Sequence, residues 1–244
     1  VANDHRGHGD SVKTAKDLGY MYEGGKEALI DDMRGVTEAI RREYPDIPVF
    51  MLGHSMGSLA ARVYAREDDS MLDGMILCGS PGYSYLAPLG YAISTFLNAI
   101  GLGRWRPKLA HRLTSDMYNH DFDSEGPMAW ICSDPQVCKD YIENPKTGFL
   151  FTVNANKVLM GLMIGAYSSR GPKAGKKYMP VIFLSGGDDP CIGGTHGLDK
   201  ALAAMHDAGY VDICKKTYPA MRHEVLNEIG KERVWQDVLD FMNL

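Results

Sequence analysis

Residues 48–64, PVFMLGHSMGSLAARVY, constrain the fold of this chain more than any other stretch. After Pro48, the unbroken apolar run Val49, Phe50, Met51, Leu52 has the pattern of a parallel strand covered on both faces. From Gly57 to Arg66 the apolar residues fall into helical spacing. Only Gly53-His54-Ser55-Met56-Gly57 lies between them. A chain that leaves a buried strand and enters a helix this quickly needs a sharp, strained turn, and a glycine on each side of Ser55 admits it where strand and helix crowd together. The same turn lifts the Ser55 hydroxyl to the helix N-terminus, open to solvent.

The alternation of strand and helix recurs along the chain. Leu29, Met33, Val36, Ile40 and Tyr44 share one face of an expected amphipathic helix from Gly25 to Tyr44, which Pro45 stops. Strands are expected at Gly74–Cys78, Val181–Leu184 and Val211–Thr217, with helices at Leu198–Ala208 and Lys231–Leu244. The pattern predicts an α/β protein with a doubly wound, mostly parallel sheet. Between Cys78 and Val181 lie about a hundred residues without this alternation, far beyond an ordinary connection. We therefore expect a core in two parts, 1–81 and 178–244, with a mainly helical cap inserted at 82–177. The insert is rich in Tyr, Phe, Trp and Met, as a mobile cover over Ser55 would be if it received an acyl chain.

Composition excludes several classes. A net charge of −5 over 244 residues gives no electrostatic footprint for nucleic acid. Five scattered cysteines with no C-x-x-C pair fit a reducing, cytoplasmic compartment better than a disulfide framework. Gly74–Gly103 carries no charge, yet its prolines, glycines and polar residues deny it the ~20 apolar residues of a spanning helix. It is expected to be a buried strand followed by an apolar surface element, open to transient contact with a membrane or lipid surface.

A serine hydroxyl becomes nucleophilic at neutral pH when a base takes its proton and a carboxylate orients that base. Of the eight histidines, His223 in TYPAMRHEVLNE follows a strand and precedes the last helix, where a parallel sheet gathers its catalytic groups. The loop in VIFLSGGDDP offers Asp188 and Asp189 as the acid. His5 and His8 have a ligand-like spacing without a second cluster, which favours a hydrogen-bonded loop over zinc. His54 is expected to be structural, Arg222 and Glu224 a surface ion pair beside the base, and Cys191 an inert buried thiol.

The strings DHRGHGDS, GHSMGS, SGGDDP and YPAMRHEVLNE, with NPKTGFLFT in the insert, resemble the α/β-hydrolase superfamily, and within it the monoglyceride lipase and lysophospholipase-like serine hydrolases. The resemblance implies Ser55 as nucleophile, His223 as general base and then acid, and Asp189 rather than Asp188 as the orienting acid. Met56 is implied as one backbone N–H donor to the oxyanion. The second donor and the fold's first three strands are implied to stand ahead of Val1, in roughly sixty to eighty further residues or on a separate polypeptide. The VAND stub would then close a strand. The implied substrate is a small-molecule ester with a medium or long acyl chain, of the monoacylglycerol or lysophospholipid kind, and no metal or organic cofactor is implied. The same triad also serves short-chain carboxylesterases, thioesterases and acyltransferases, and a silent lipid- or partner-binding protein could share the fold.

Overall fold

In the computed structural model, which describes residues 1–111 and 117–243, the apolar runs form four parallel strands. These are β1 (Phe50–His54), β2 (Gly74–Cys78), β3 (Val181–Gly186) and β4 (Ile213–Tyr218), in the order β1-β2-β3-β4. Period-two alternation sends the side chains of each inner strand to opposite faces. Met75, Leu77, Val181 and Phe183 join the main core under α1 (Gly25–Glu43) and α2 (Met56–Glu67). Ile76, Cys78, Ile182 and Leu184 meet the C-terminal helix on the other face, through Val234 and Phe241. Because Leu77 and Phe183 are fully buried, truncating either to Ala costs about 3–5 kcal/mol.

The insert contains α3 (Ala87–Leu97), α4 (Pro135–Glu143) and α5 (Val153–Ala166). The last two begin with side-chain caps: Asp134 accepts from Gln136 N, and Thr152 accepts from Ala155 N. After β3 come α6 (Gly194–Ala208) and, after β4, α7 (Glu232–Met242). Leu244, the expected end of the last helix, lies outside the described residues.

Within the range 82–177 the two ends of the insert behave differently. Val158, Leu162 and Ala166 of α5 belong to the main core cluster with α1 and α2. Asn154 accepts from Met21 N and donates to Tyr22 O, while Arg106 donates to the carbonyls of Lys16, Leu18 and Leu150. In contrast, Leu86, Leu89, Ile93 and Phe96 along α3 face outward and are exposed. No helix among the described residues is long and apolar enough to cross a membrane.

Two expectations need correction. Val1–Asp4 form no strand, because β1 has no strand partner on its outer edge among the described residues and the stub has no ladder to join. A groove of about 580 Å³ runs along that edge, lined by Met33, Val49, Met51, Ser55 and Gly57. Gly57 lines it, and among the described residues the crowding expected on both sides of Ser55 is seen at Gly53 alone. A Cβ there would meet nothing within 4 Å, whereas at Gly53 it would sit 2.5 Å from Gly57 O.

Candidate active site

The turn between β1 and α2 holds Ser55 at φ 52°, ψ −120°, a conformation that L-residues adopt only under constraint. Ser55 N donates to Cys78 O at 3.0 Å, and Ser58 N and Leu59 N both donate to Ser55 O, so backbone bonds hold the strained residue from both neighbouring elements. Its hydroxyl is half-buried. The N–H of Met56 opens α2 and has no carbonyl of its own helix to bond, which leaves it free to meet negative charge beside Ser55 Oγ.

His223 lies in the loop after β4. Its Nε2 is 2.9 Å from Ser55 Oγ, placed to accept the hydroxyl proton, and its Nδ1 donates to Asp189 Oδ2 at 2.9 Å. The other oxygen of Asp189 accepts from Cys191 N at 2.8 Å. Asp189 and His223 are both buried, whereas Asp188 is exposed and contributes its backbone N–H to Met221 O. The chain packs tightly here: Gly79, at φ +51° after β2, would bring a Cβ to 2.9 Å from His223 O and 3.1 Å from the imidazole.

Neighbouring groups stay uncharged. His54 donates from Nε2 to His223 O at 3.2 Å, and burial, aided by the nearby His223, pushes its pKa down to about 4. Burial pushes the Cys191 thiol up. Asp189, Cys191 and His223 offer ligand atoms within 4.8 Å of one another, but the carboxylate and imidazole already bond each other and the thiol is held protonated. His8 is held by Arg6 O at 3.2 Å and by the edges of Phe149 and Phe151, and burial lowers its pKa and that of His5.

Arg222 departs from expectation. It is buried, and its partner is Glu125 rather than Glu224: Nη2 donates to both Glu125 carboxylate oxygens at 2.7 Å. Nη1 donates to Ala129 O at 2.7 Å, and the guanidinium lies over the Phe122 ring. The pairing runs inward because the insert supplies both the carboxylate and the carbonyls. Glu224 instead accepts from Asn227 Nδ2. Sequence reasoning also missed Glu228, a buried carboxylate that accepts from the backbone N–H of both Arg222 and Ser133. Trp130 was visible only as one aromatic among many in the insert; its ring packs on His223 with centroids 4.9 Å apart. No local spacing marks either residue.

A parallel sheet carrying a strained serine turn after one strand, with an acid and a histidine on later loops, defines an α/β-hydrolase. The model of the serine aminopeptidase S33 hydrolases matches residues 1–230, and the chain belongs to that family. Among similar proteins, a monoacylglycerol lipase of Mycolicibacterium smegmatis is 24% identical over 99% of this chain and 76% of its own length. A monoglyceride lipase of Rattus norvegicus is 26% identical over 94% of this chain and 71% of its own. A solved thermostable carboxyl esterase from Bacillus coagulans, in complex with glycerol, superposes with a TM-score of 0.85 at 25% identity, over 98% of this chain and 78% of that one.

Proposed function

We propose that Ser55, His223 and Asp189 hydrolyse carboxylic esters of medium or long acyl chains, of the monoacylglycerol or lysophospholipid kind, through an acyl-enzyme. The observation that carries this reading is the unbroken run of two 2.9 Å contacts from Ser55 Oγ through His223 to Asp189. In the first half-reaction Ser55 Oγ attacks the ester carbonyl as His223 Nε2 takes its proton. Asp189 fixes the Nδ1–H tautomer and balances the imidazolium. The Met56 N–H donates to the oxyanion. His223 then returns the proton to the departing alcohol, and a water activated by the same base releases the acid. The names of the two lipases and the esterase described above support an ester substrate.

Residues 82–177 act in this reading as the cap that selects the acyl chain, between core parts 1–81 and 178–244. The exposed row Leu86, Leu89, Ile93 and Phe96 supports transient contact with a lipid surface, where such esters reside. Five free cysteines, four of them buried, support a reducing, cytoplasmic setting.

A series of p-nitrophenyl esters from acetate to palmitate tests the substrate class. We expect kcat/KM to rise with chain length to a maximum at octanoate or beyond. A maximum at acetate overturns the acyl-chain assignment.

A further inference from the structure

The inference concerns Trp130 and rests on the reading of His223 as the base. Trp130 is buried, and its ring lies 4.9 Å from the His223 ring, centroid to centroid, with the planes 38° apart. Its indole Nε1 is buried with no hydrogen-bond partner among the described residues. The face of that ring attracts a cation more strongly than that of any other aromatic side chain.

The surrounding segment is built to hold that face in place. Met128, two residues earlier, sits at φ 61°, in the left-handed region that favours glycine, at the start of the short helical turn Ala129–Ile131. Trp130 N donates to Asn119 Oδ1, and the Tyr118 ring packs against the indole at 5.1 Å. Three ties bind the turn to the base loop itself. Glu224 N donates to Ile131 O at 2.7 Å, Arg222 Nη1 to Ala129 O at 2.7 Å, and Glu228 accepts from both Arg222 N and Ser133 N. The residues on each side of His223 are thus fastened to those on each side of Trp130, which holds the two backbones in register.

We infer that Trp130 is a positioning residue for the proposed base: its ring face holds the His223 imidazole in line between Asp189 and Ser55 and favours the imidazolium formed when that ring takes the serine proton. A neutral imidazole gains little from the aromatic face, and an imidazolium gains more. The contact therefore strengthens as the reaction proceeds, and its loss falls on kcat rather than on KM.

Trp130→Leu keeps an apolar filler and removes the π-face, whereas Trp130→Phe keeps a weaker face. Steady-state hydrolysis of one p-nitrophenyl ester by the wild type, both variants and Ser55→Ala reads the effect. For Trp130→Leu we expect kcat to fall about tenfold with KM within about twofold, and for Trp130→Phe a loss of less than about threefold. The low-field proton of the His223–Asp189 hydrogen bond, seen by NMR, should broaden in Trp130→Leu and persist in Trp130→Phe. A Leu variant that keeps kcat within about twofold of wild type, or a Phe variant that falls as far as Leu, overturns the inference. A wild type with no turnover beyond that of Ser55→Ala would overturn the triad reading and this inference together; Ser55-dependent turnover with an unaffected Leu variant overturns this inference alone.

Discussion

On the β1 side, residues of one turn, Gly53–Leu59, with a single backbone bond to Cys78 O, set the geometry of Ser55, while on the β3 and β4 side His223 depends on many residues far apart in the chain. Gly79 leaves no room for a Cβ beside the imidazole, Asp189 bonds it, the Trp130 ring packs on it, and Arg222 reaches back 97 residues to Glu125. Ser55 is half-buried beside a groove, whereas the base is buried. The difference teaches that the nucleophile's strain is stored locally, in backbone dihedrals, and the base's alignment is stored in tertiary contacts. Changes on the two sides should therefore fail in different ways.

The largest effect is expected at the enclosed side. Asp189→Asn should lower kcat by about 10⁴-fold with the fold intact, because the amide presents His223 in the wrong tautomer. Asp188→Asn, at an exposed side chain, should stay within about twofold of wild type, since surface substitutions rarely exceed ±0.5 kcal/mol. Kinetics on the two variants checks this, and the reverse ranking would move the acid.

On the serine side the sharper contrast lies between the two glycines. Gly53→Ala forces a Cβ to within 2.5 Å of Gly57 O, a backbone atom that cannot swing away, so the turn must open. We expect about a hundredfold loss of activity and at least about 2 kcal/mol of stability. At Gly57 a Cβ meets nothing within 4 Å among the described residues, so Gly57→Ala should cost much less activity than Gly53→Ala. Equal losses in both variants would break the claim that the strain is confined to one side of the serine.

A smaller effect concerns pH. His54 has its pKa lowered to about 4 in the folded protein, and burial lowers those of His5 and His8 as well. The unfolded chain protonates these rings near pH 6.5, so below that pH it binds more protons than the folded state does. Their contribution is thus fully present above pH 6.5 and is lost as pH falls toward 4. Replacing His54 with Gln should flatten the decline, so that between pH 7 and pH 5 the variant's Tm falls by roughly 3 °C less than that of the wild type. Calorimetry at the two pH values measures it, and parallel declines would place the proton uptake elsewhere.

The same division explains what could be read in advance. Strand β1, helix α2 and Ser55 follow from contiguous residues whose periodicity and glycines act on their immediate neighbours. The expected strands at Gly74–Cys78 and Val181–Leu184 likewise match β2 and β3 because apolar runs between turn signals reflect burial on both faces. The two clusters that clasp the base were not legible. Arg222 and Glu224 are neighbours with opposite charges and suggest a local pair, yet the insert brings Glu125 to Arg222 and leaves Glu224 to Asn227. Trp130, Met128 and Glu228 carry no spacing signal because what selects them is proximity in space. The stub Val1–Asp4 has the composition of a strand end, but strand structure is a property of a pair, and the stub joins no strand among the described residues.

The central claim, that Ser55 is activated by His223, is tested most directly by labelling the protein with a fluorophosphonate and locating the adduct by peptide mass spectrometry. The account predicts one phosphonyl group on Ser55, absent from Ser55→Ala and formed far more slowly in Asp189→Asn. An unlabelled wild-type protein, or an adduct that survives in Ser55→Ala, would contradict it.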